Sequence, residues 1–146
     1  MSRGFEQQLR GAGLRVTHSR LRVLGALERM PHSSALALHA ELGDEATSVQ
    51  SVHNALVDLT DAHMLRRIEP AGSAALYELR VGDNHHHLVC SGCRAVVDVD
   101  CVVGEAPCLT PSDHAGFTVY SAEVTFWGLC SACSQANEKT DRTRTP

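Results

Sequence analysis

A chain of 146 residues with 43 % apolar side chains is long enough for one ordinary domain or two small ones, and rich enough to build a core. No apolar run approaches the roughly 18 residues of a membrane span, and the opening MSRGFEQQLR lacks the apolar stretch of a signal peptide. These features exclude membrane and secreted classes and predict a cytoplasmic protein, where six cysteines act as metal ligands or redox thiols rather than disulfides. The formal net charge of −4 does not suggest nucleic-acid binding, but its distribution does. Residues 1–30 carry six arginines against two glutamates, whereas residues 81–130 carry six acids against Arg94. A basic front and an acidic back predict phosphate contact at one end and cation binding at the other.

In chain order, residues 5–12 read as a short helix stopped near Gly13, and Thr17 as the N-cap of a helix over 19–30 that Pro31 ends. Leu21, Leu24 and Leu27 form its apolar stripe. Ser33 or Ser34 caps a third helix over 35–42, stopped by Gly43. Thr47-Ser48-Val49-Gln50 fits a capping box that opens a helix over 48–62. Val52, Ala55, Leu56 and Leu59 recur at i, i+3, i+4 and i+7 and predict its buried face, with Gln50, Ser51, His53 and Asn54 turned outward. Segments 64–69 and 74–79 bracket Pro70-Ala71-Gly72-Ser73 and predict a hairpin. Helices followed by a two-stranded hairpin form a winged helix-turn-helix layout, with helix 48–62 as the recognition element.

After a hinge at 81–84 the pattern changes. Segments 86–90, 95–100 and 118–127 predict strands, 101–116 a loop with at most one helical turn, and 136–146 a polar, disordered tail. The expected fold class is α+β: a winged-helix unit over 1–80, then a small α/β unit over 85–135.

Cys90-Ser91-Gly92-Cys93 and Cys130-Ser131-Ala132-Cys133 are two hooks separated by 36 residues. Four thiolates at this spacing supply the closed tetrahedral set of structural zinc. Such a site contributes roughly 10–16 kcal/mol of apparent binding energy, more than a small domain's stability, so its loss should unfold the second unit. Next to the first hook stands Asn84-His85-His86-His87. On a strand, His85 and His87 share one face and His86 takes the other. Glu78 and Asp98 are further ligand candidates. Cys101 and Cys108 lie outside the zinc set and read as small buried hydrophobes or as a redox pair. Arg15 and Arg20 are candidate phosphate anchors; Ser51, His53 and Asn54 could reach base edges, with Arg66 or Arg67 on the wing near the backbone. A zinc hydrolase using the histidines is the reading from another class, but the chain has no nucleophile motif and no His-Glu-x-x-His, so no enzyme is expected.

Arg15-Val16-Thr17-His18-Ser19-Arg20, the helix from Ser48, the run from Asn84 to Cys93 and Gly128-Leu129-Cys130-Ser131-Ala132-Cys133 resemble the Fur superfamily of metalloregulators over roughly residues 5–134. The run from Asp98 to Thr110 is similar to the actinobacterial FurA/CatR group of its peroxide-sensing, PerR-like branch. The resemblance implies a homodimeric winged-helix repressor of double-stranded DNA with a palindromic operator. It implies structural Zn²⁺ on Cys90, Cys93, Cys130 and Cys133, and regulatory Fe²⁺ or Mn²⁺ on His32, Glu78, His85, His87 and Asp98. It further implies peroxide sensing by iron-catalysed oxidation of His32 or His87, with catalase genes among the targets. The rival is a sensor of iron, zinc or nickel availability. His86 and Glu105 match a third family metal site, with Ala122 where a histidine is usual and His114 as the substitute. Two departures touch the DNA-binding unit: His18 stands where proline is frequent, and His53 where the recognition helix usually has tyrosine.

Overall fold

The computed structural model describes residues 2–43, 48–83, 85–100, 111–120 and 122–142. The chain divides into two compact units, Met1–Gly82 and Asp83–Pro146.

The first unit is helical. Helix α1 (Ser2–Gly11) ends where Leu14 N–H donates to the Leu9 carbonyl at 2.8 Å and Gly13 takes φ +74°. The Thr17 side chain accepts from Arg20 N–H to cap α2 (His18–Arg29), which buries Val23, Leu24, Ala26 and Leu27. Ser34 caps α3 (Ala35–Leu42), and Gly43 at φ +73° ends it. Ser48 caps α4 (Val49–Asp61). Of the expected capping box, Thr47 lies outside the described residues, and Gln50 donates forward to Asn54. With Ser48 as N-cap, Gln50 is one position too early to close that ring.

The predicted periodicity of α4 holds, since Val52, Ala55, Leu56 and Leu59 are buried. They join Leu9, Val23, Leu24, Leu27 and Leu38 in one core. Fully burying each such leucine or valine is worth about 1.5–3 kcal/mol, so this unit's stability rests on side-chain packing. Strands β1 (Arg66–Ile68) and β2 (Leu76–Glu78) pair antiparallel, with Arg66 opposite Glu78. A bridge from Ser33 to Tyr77 adds the segment after α2 to the outer side of β2.

The second unit is a three-stranded mixed sheet in the order β4–β3–β5. Strand β3 (His85–Cys90) runs antiparallel to β4 (Val96–Asp100) and parallel to β5 (Thr125–Gly128). The strand expected over 118–127 is therefore shorter and later. Its pairing with β3 begins at Thr125, and the preceding Phe117, Val119 and Tyr120 are exposed.

Of the tail expected to be disordered over 136–146, residues 136–142 are helical, and 143–146 lie outside the described residues. Helix α5 (Ser131–Arg142) runs through Gln135 to Arg142. Its composition is polar, but its first turn grows out of the second cysteine hook, with Ser134 N–H on the Cys130 carbonyl at 2.9 Å. A nucleus already held in place removes the costly step of helix formation. Of the expected loop 101–116, only 111–116 is described: a coil with a turn at Ala115-Gly116. Cys101, Glu105 and Cys108 lie outside the described residues. Among those described, no helix is long and apolar enough to cross a membrane.

Candidate metal centres and nucleic-acid face

The parallel pairing of β3 with β5 ends at Cys90 opposite Gly128, which brings the two hooks together. Ser91 N–H donates to the Gly128 carbonyl at 2.8 Å, and the chain then turns back with Arg94 at φ +66° and Arg94 N–H on the Cys90 carbonyl. The four sulfurs all lie within 4.8 Å of one another, with Cys93 Sγ and Cys130 Sγ 3.8 Å apart. That separation is far beyond a disulfide and equals the edge, ~3.8 Å, of a tetrahedron built on Zn–S bonds of about 2.3 Å. Gly92 belongs to this geometry: a Cβ there would stand 3.0 Å from Cys133 Sγ and 3.2 Å from its Cβ.

Electrostatics points the same way. Backbone N–H groups of Cys130 and then Cys93 aim at Cys90 and hold its thiol down to about 6 from an ordinary 9.0. Cys133 is pushed up to about 12, chiefly by the sulfur of Cys130 and then by those of Cys90 and Cys93. Four crowded thiols cannot all ionise alone, and a dication removes that conflict. Arg94 closes over the Trp127 ring at 5.1 Å beside the first hook.

The oxygen and nitrogen donors are arranged within each unit. In the first, the bridge from Ser33 to Tyr77 places His32 beside the end of β2, and His32 Nε2 lies 2.8 Å from Glu78 Oε2. His32 holds φ +59°, a left-handed conformation that costs a non-glycine residue about 1–3 kcal/mol. Ser33 Oγ on the Met30 carbonyl (2.7 Å) and Tyr77 N–H on the Ser33 carbonyl (3.0 Å) hold it there. Glu78 is 1 % exposed, and Arg66 Nε is 3.8 Å from its other oxygen.

In the second unit, the register sets His87 opposite Asp98 and His85 opposite Asp100. His85, His87 and Asp98 therefore share one face of the sheet, while His86 takes the other. Asp98 Oδ1 is 3.5 Å from His87 Nε2 and 3.7 Å from His85 Nε2, too far for good hydrogen bonds and close enough for an ion to link the carboxylate to either ring. His85 Nδ1 bonds Asp83 at 2.6 Å, leaving Nε2 toward Asp98. The T-shaped His85–His87 contact has centroids 4.9 Å apart. Two imidazoles with one carboxylate form a donor set that Fe²⁺, Mn²⁺ and Zn²⁺ all accept. For the third expected metal site, His86 is buried, His114 is exposed, and no group of three metal donors among the described residues includes either.

The expected nucleic-acid contacts divide. Arg15, His53 and Asn54 are exposed. Arg20 is engaged internally: its guanidinium bonds Asp58 Oδ2 at 2.5 Å and the Arg15 carbonyl at 2.6 Å, tying α2 to α4. Ser51 is bonded to its own cap, Ser48. Arg66 faces Glu78, and Arg67 pairs with Glu69. Sequence reasoning missed the Arg20–Asp58 clamp, because 38 residues separate its ends. It also missed Asp83, whose spacing of two from His85 was the available signal. A polar hollow of about 260 Å³ lies between Thr17, Ser19, Arg20, Ser51, Asn54 and Asp58.

A winged helix-turn-helix joined to a small sheet with a four-thiol centre is the architecture of a metal-dependent transcriptional regulator. The sequence profile of the ferric uptake regulator family matches residues 11–127. Transcriptional regulator FurA of Mycobacterium tuberculosis (strain H37Rv) is 50 % identical over 132 residues, covering 89 % of this chain and 90 % of FurA. Ferric uptake regulation protein 1 of Mycolicibacterium fortuitum is 50 % identical over 127 residues, covering 84 % of this chain and 78 % of its own. The crystal structure of the Vibrio cholerae ferric uptake regulator superposes with a TM-score of 0.64 at 26 % identity, covering 86 % of this chain and 98 % of that one. The chain belongs to the ferric uptake regulator family and is one of its metal-dependent transcriptional regulators.

Proposed function

We propose that this chain is a cytoplasmic, homodimeric repressor that binds a palindromic operator in its metal-loaded form and releases it when hydrogen peroxide oxidises a ligand histidine. The observation that carries the reading is the pair of donor sets: His32 with Glu78 in one unit, and His85, His87 and Asp98 in the other. In this reading one Fe²⁺ or Mn²⁺ takes donors from both sets, and structural Zn²⁺ occupies the four cysteines. Bound ferrous iron supplies the one-electron reduction of peroxide. The protein's part is to hold His32 and His87 as neutral imidazoles with a lone pair toward the ion. A ring that gains an oxygen atom no longer donates, the two sets lose their common ligand, and the DNA-binding units leave operator spacing. DNA contact falls to Arg15 and to Ser51, His53 and Asn54 on α4, with Arg20 positioning that helix and Arg66 supporting the wing. The structure of the Vibrio cholerae relative is described as showing rearranged DNA-binding domains, which agrees with a regulator that works by moving them. Exposed Leu88, Val97, Phe126 and Trp127 on the sheet unit give a second copy an apolar surface to cover.

A second reading, a sensor of iron availability, is favoured by the name of the Mycolicibacterium fortuitum relative. One experiment separates the two: gel shift with candidate promoter duplexes under Fe²⁺, Mn²⁺ and Zn²⁺, before and after stoichiometric peroxide, with peptide mass spectrometry alongside. The peroxide reading expects the iron form alone to lose its operator and to gain one oxygen on His32 or His87. Unchanged mass and affinity overturn it in favour of the iron sensor.

A further inference from the structure

Helix α4 carries a feature that its capping and core do not explain. Its buried residues Val52, Ala55, Leu56 and Leu59 define one side. At about 100° per residue, Gln50, Asn54 and Val57 fall on the opposite side, at i, i+4 and i+7. All three are exposed, Val57 to 54 %. Gln50 Nε2 donates to Asn54 Oδ1 at 2.9 Å, so the two amides are joined on the outermost line of the helix. Residues 49–54 contain no acid or base other than His53, whereas Asp58 and Asp61 stand in the second half. The half of α4 suited to approach a polyanion is therefore the half that holds the amide pair.

Joined amides have a definite residual chemistry. One N–H and one carbonyl oxygen are consumed between them. What remains is a carbonyl oxygen and one N–H on the donating residue and two N–H donors on the other. Turning both amides over exchanges the residues' parts and leaves that inventory unchanged. An acceptor beside a donor complements the N6 amino group and N7 of adenine in the major groove. Guanine offers two acceptors there, O6 and N7, and would set an oxygen against the outward carbonyl. Val57, one turn on, presents an apolar surface of the kind that meets a thymine methyl.

We propose that Gln50 and Asn54 act as one specificity-determining unit that reads an adenine, with each amide holding the other in the reading rotamer. This rests on the DNA-binding reading given above. Mutual holding predicts coupling: removing either side chain leaves the other with unrestrained torsions and costs most of the discrimination.

The test uses the full-length, metal-loaded protein. A randomised duplex library yields the preferred sequence, and affinities for it and for its A-to-G variants are then measured with the wild type, Gln50→Ala, Asn54→Ala and the double variant. Alanine is a strong helix former at exposed positions, so thermal melting should be unchanged. The expected result is a wild-type preference for adenine over guanine of about 5- to 150-fold at one position of each half-site. Either single variant should lose most of it at that same position, and the double variant no more. Four outcomes overturn the proposal: guanine preferred at the position, wild-type behaviour of Gln50→Ala, independent relaxation of two positions, or additive losses. If the wild type selects no sequence at all, the DNA-binding reading itself falls, and the proposal with it.

Discussion

At the scale of single residues, the four-cysteine centre depends on one position without a side chain. Gly92→Ala places a methyl group 3.0 Å from Cys133 Sγ, and the knuckle must shift to admit it. Strain of this kind costs about 1–3 kcal/mol. We expect Gly92→Ala to bind zinc about 5- to 150-fold more weakly, as read by competition with a chromophoric chelator. Acidity acts on the same centre. The Cys90 thiol lies at about 6 when folded against 9.0 ordinarily. A depressed acid contributes stability that is complete above its unfolded value and lost as pH falls through the folded one. Zinc binding displaces the thiol protons, so zinc affinity should weaken as pH is lowered, with the far-UV signal of the sheet unit falling in step.

At the scale of elements, the first unit is tuned by contacts at helix ends and between helices. Arg20 joins α2 to α4 through Asp58, with side-chain exposures of 15 % and 45 %. Because Asp58 is partly solvated, the pair is worth less than a buried one, on the order of 1 kcal/mol. Arg20→Ala should lower the unfolding free energy by that amount, read as a lower urea midpoint at unchanged slope, and loosen α4 enough to weaken operator binding. Ser48→Ala removes the only side-chain cap of α4 among the described residues and should cost about 1 kcal/mol. Hydrogen exchange should then rise at residues 49–52 first. Part of this was legible without coordinates: Thr17 stands just before the second helix, and the stripe of α4 is strictly periodic. The clamp was not, since nothing near Arg20 in the chain indicates Asp58.

For the whole molecule, the predictions concern how two units act as one regulator. A mild chelator that strips the oxygen- and nitrogen-bound ion should abolish operator binding while zinc and fold persist. A strong chelator or thiol oxidant that removes zinc should unfold the sheet unit and leave melting of the helical unit, whose core is its own, nearly unchanged. If the exposed apolar residues of the sheet unit form the dimer, Phe126→Asp with Val97→Asp should give a monomer by light scattering. The dependence of log K on log salt should then fall to about half, since half the phosphate contacts remain. Persistence of the dimer in that variant would move the interface elsewhere.

The sequence by itself determined whatever depends on neighbours a few residues away. That covers both cysteine hooks, the cap of α2, the inward face of α4, the hairpin, and the alternation that sends His85 and His87 one way and His86 the other. Spacing carries such information because helix and strand periods are constant. Tertiary structure alone decided what meets across long stretches of chain. The Ser33–Tyr77 bridge delivers His32 to Glu78 from 46 residues away. The parallel register of β5 starts the strand at Thr125 rather than at residue 118, and sets the second hook against the first. Residues 136–142, which composition marks as disordered, are helix because the hook fixes the first turn of α5. Pairings of that range are chosen by register and by the closing of intervening loops, and neither is encoded in any short window of residues.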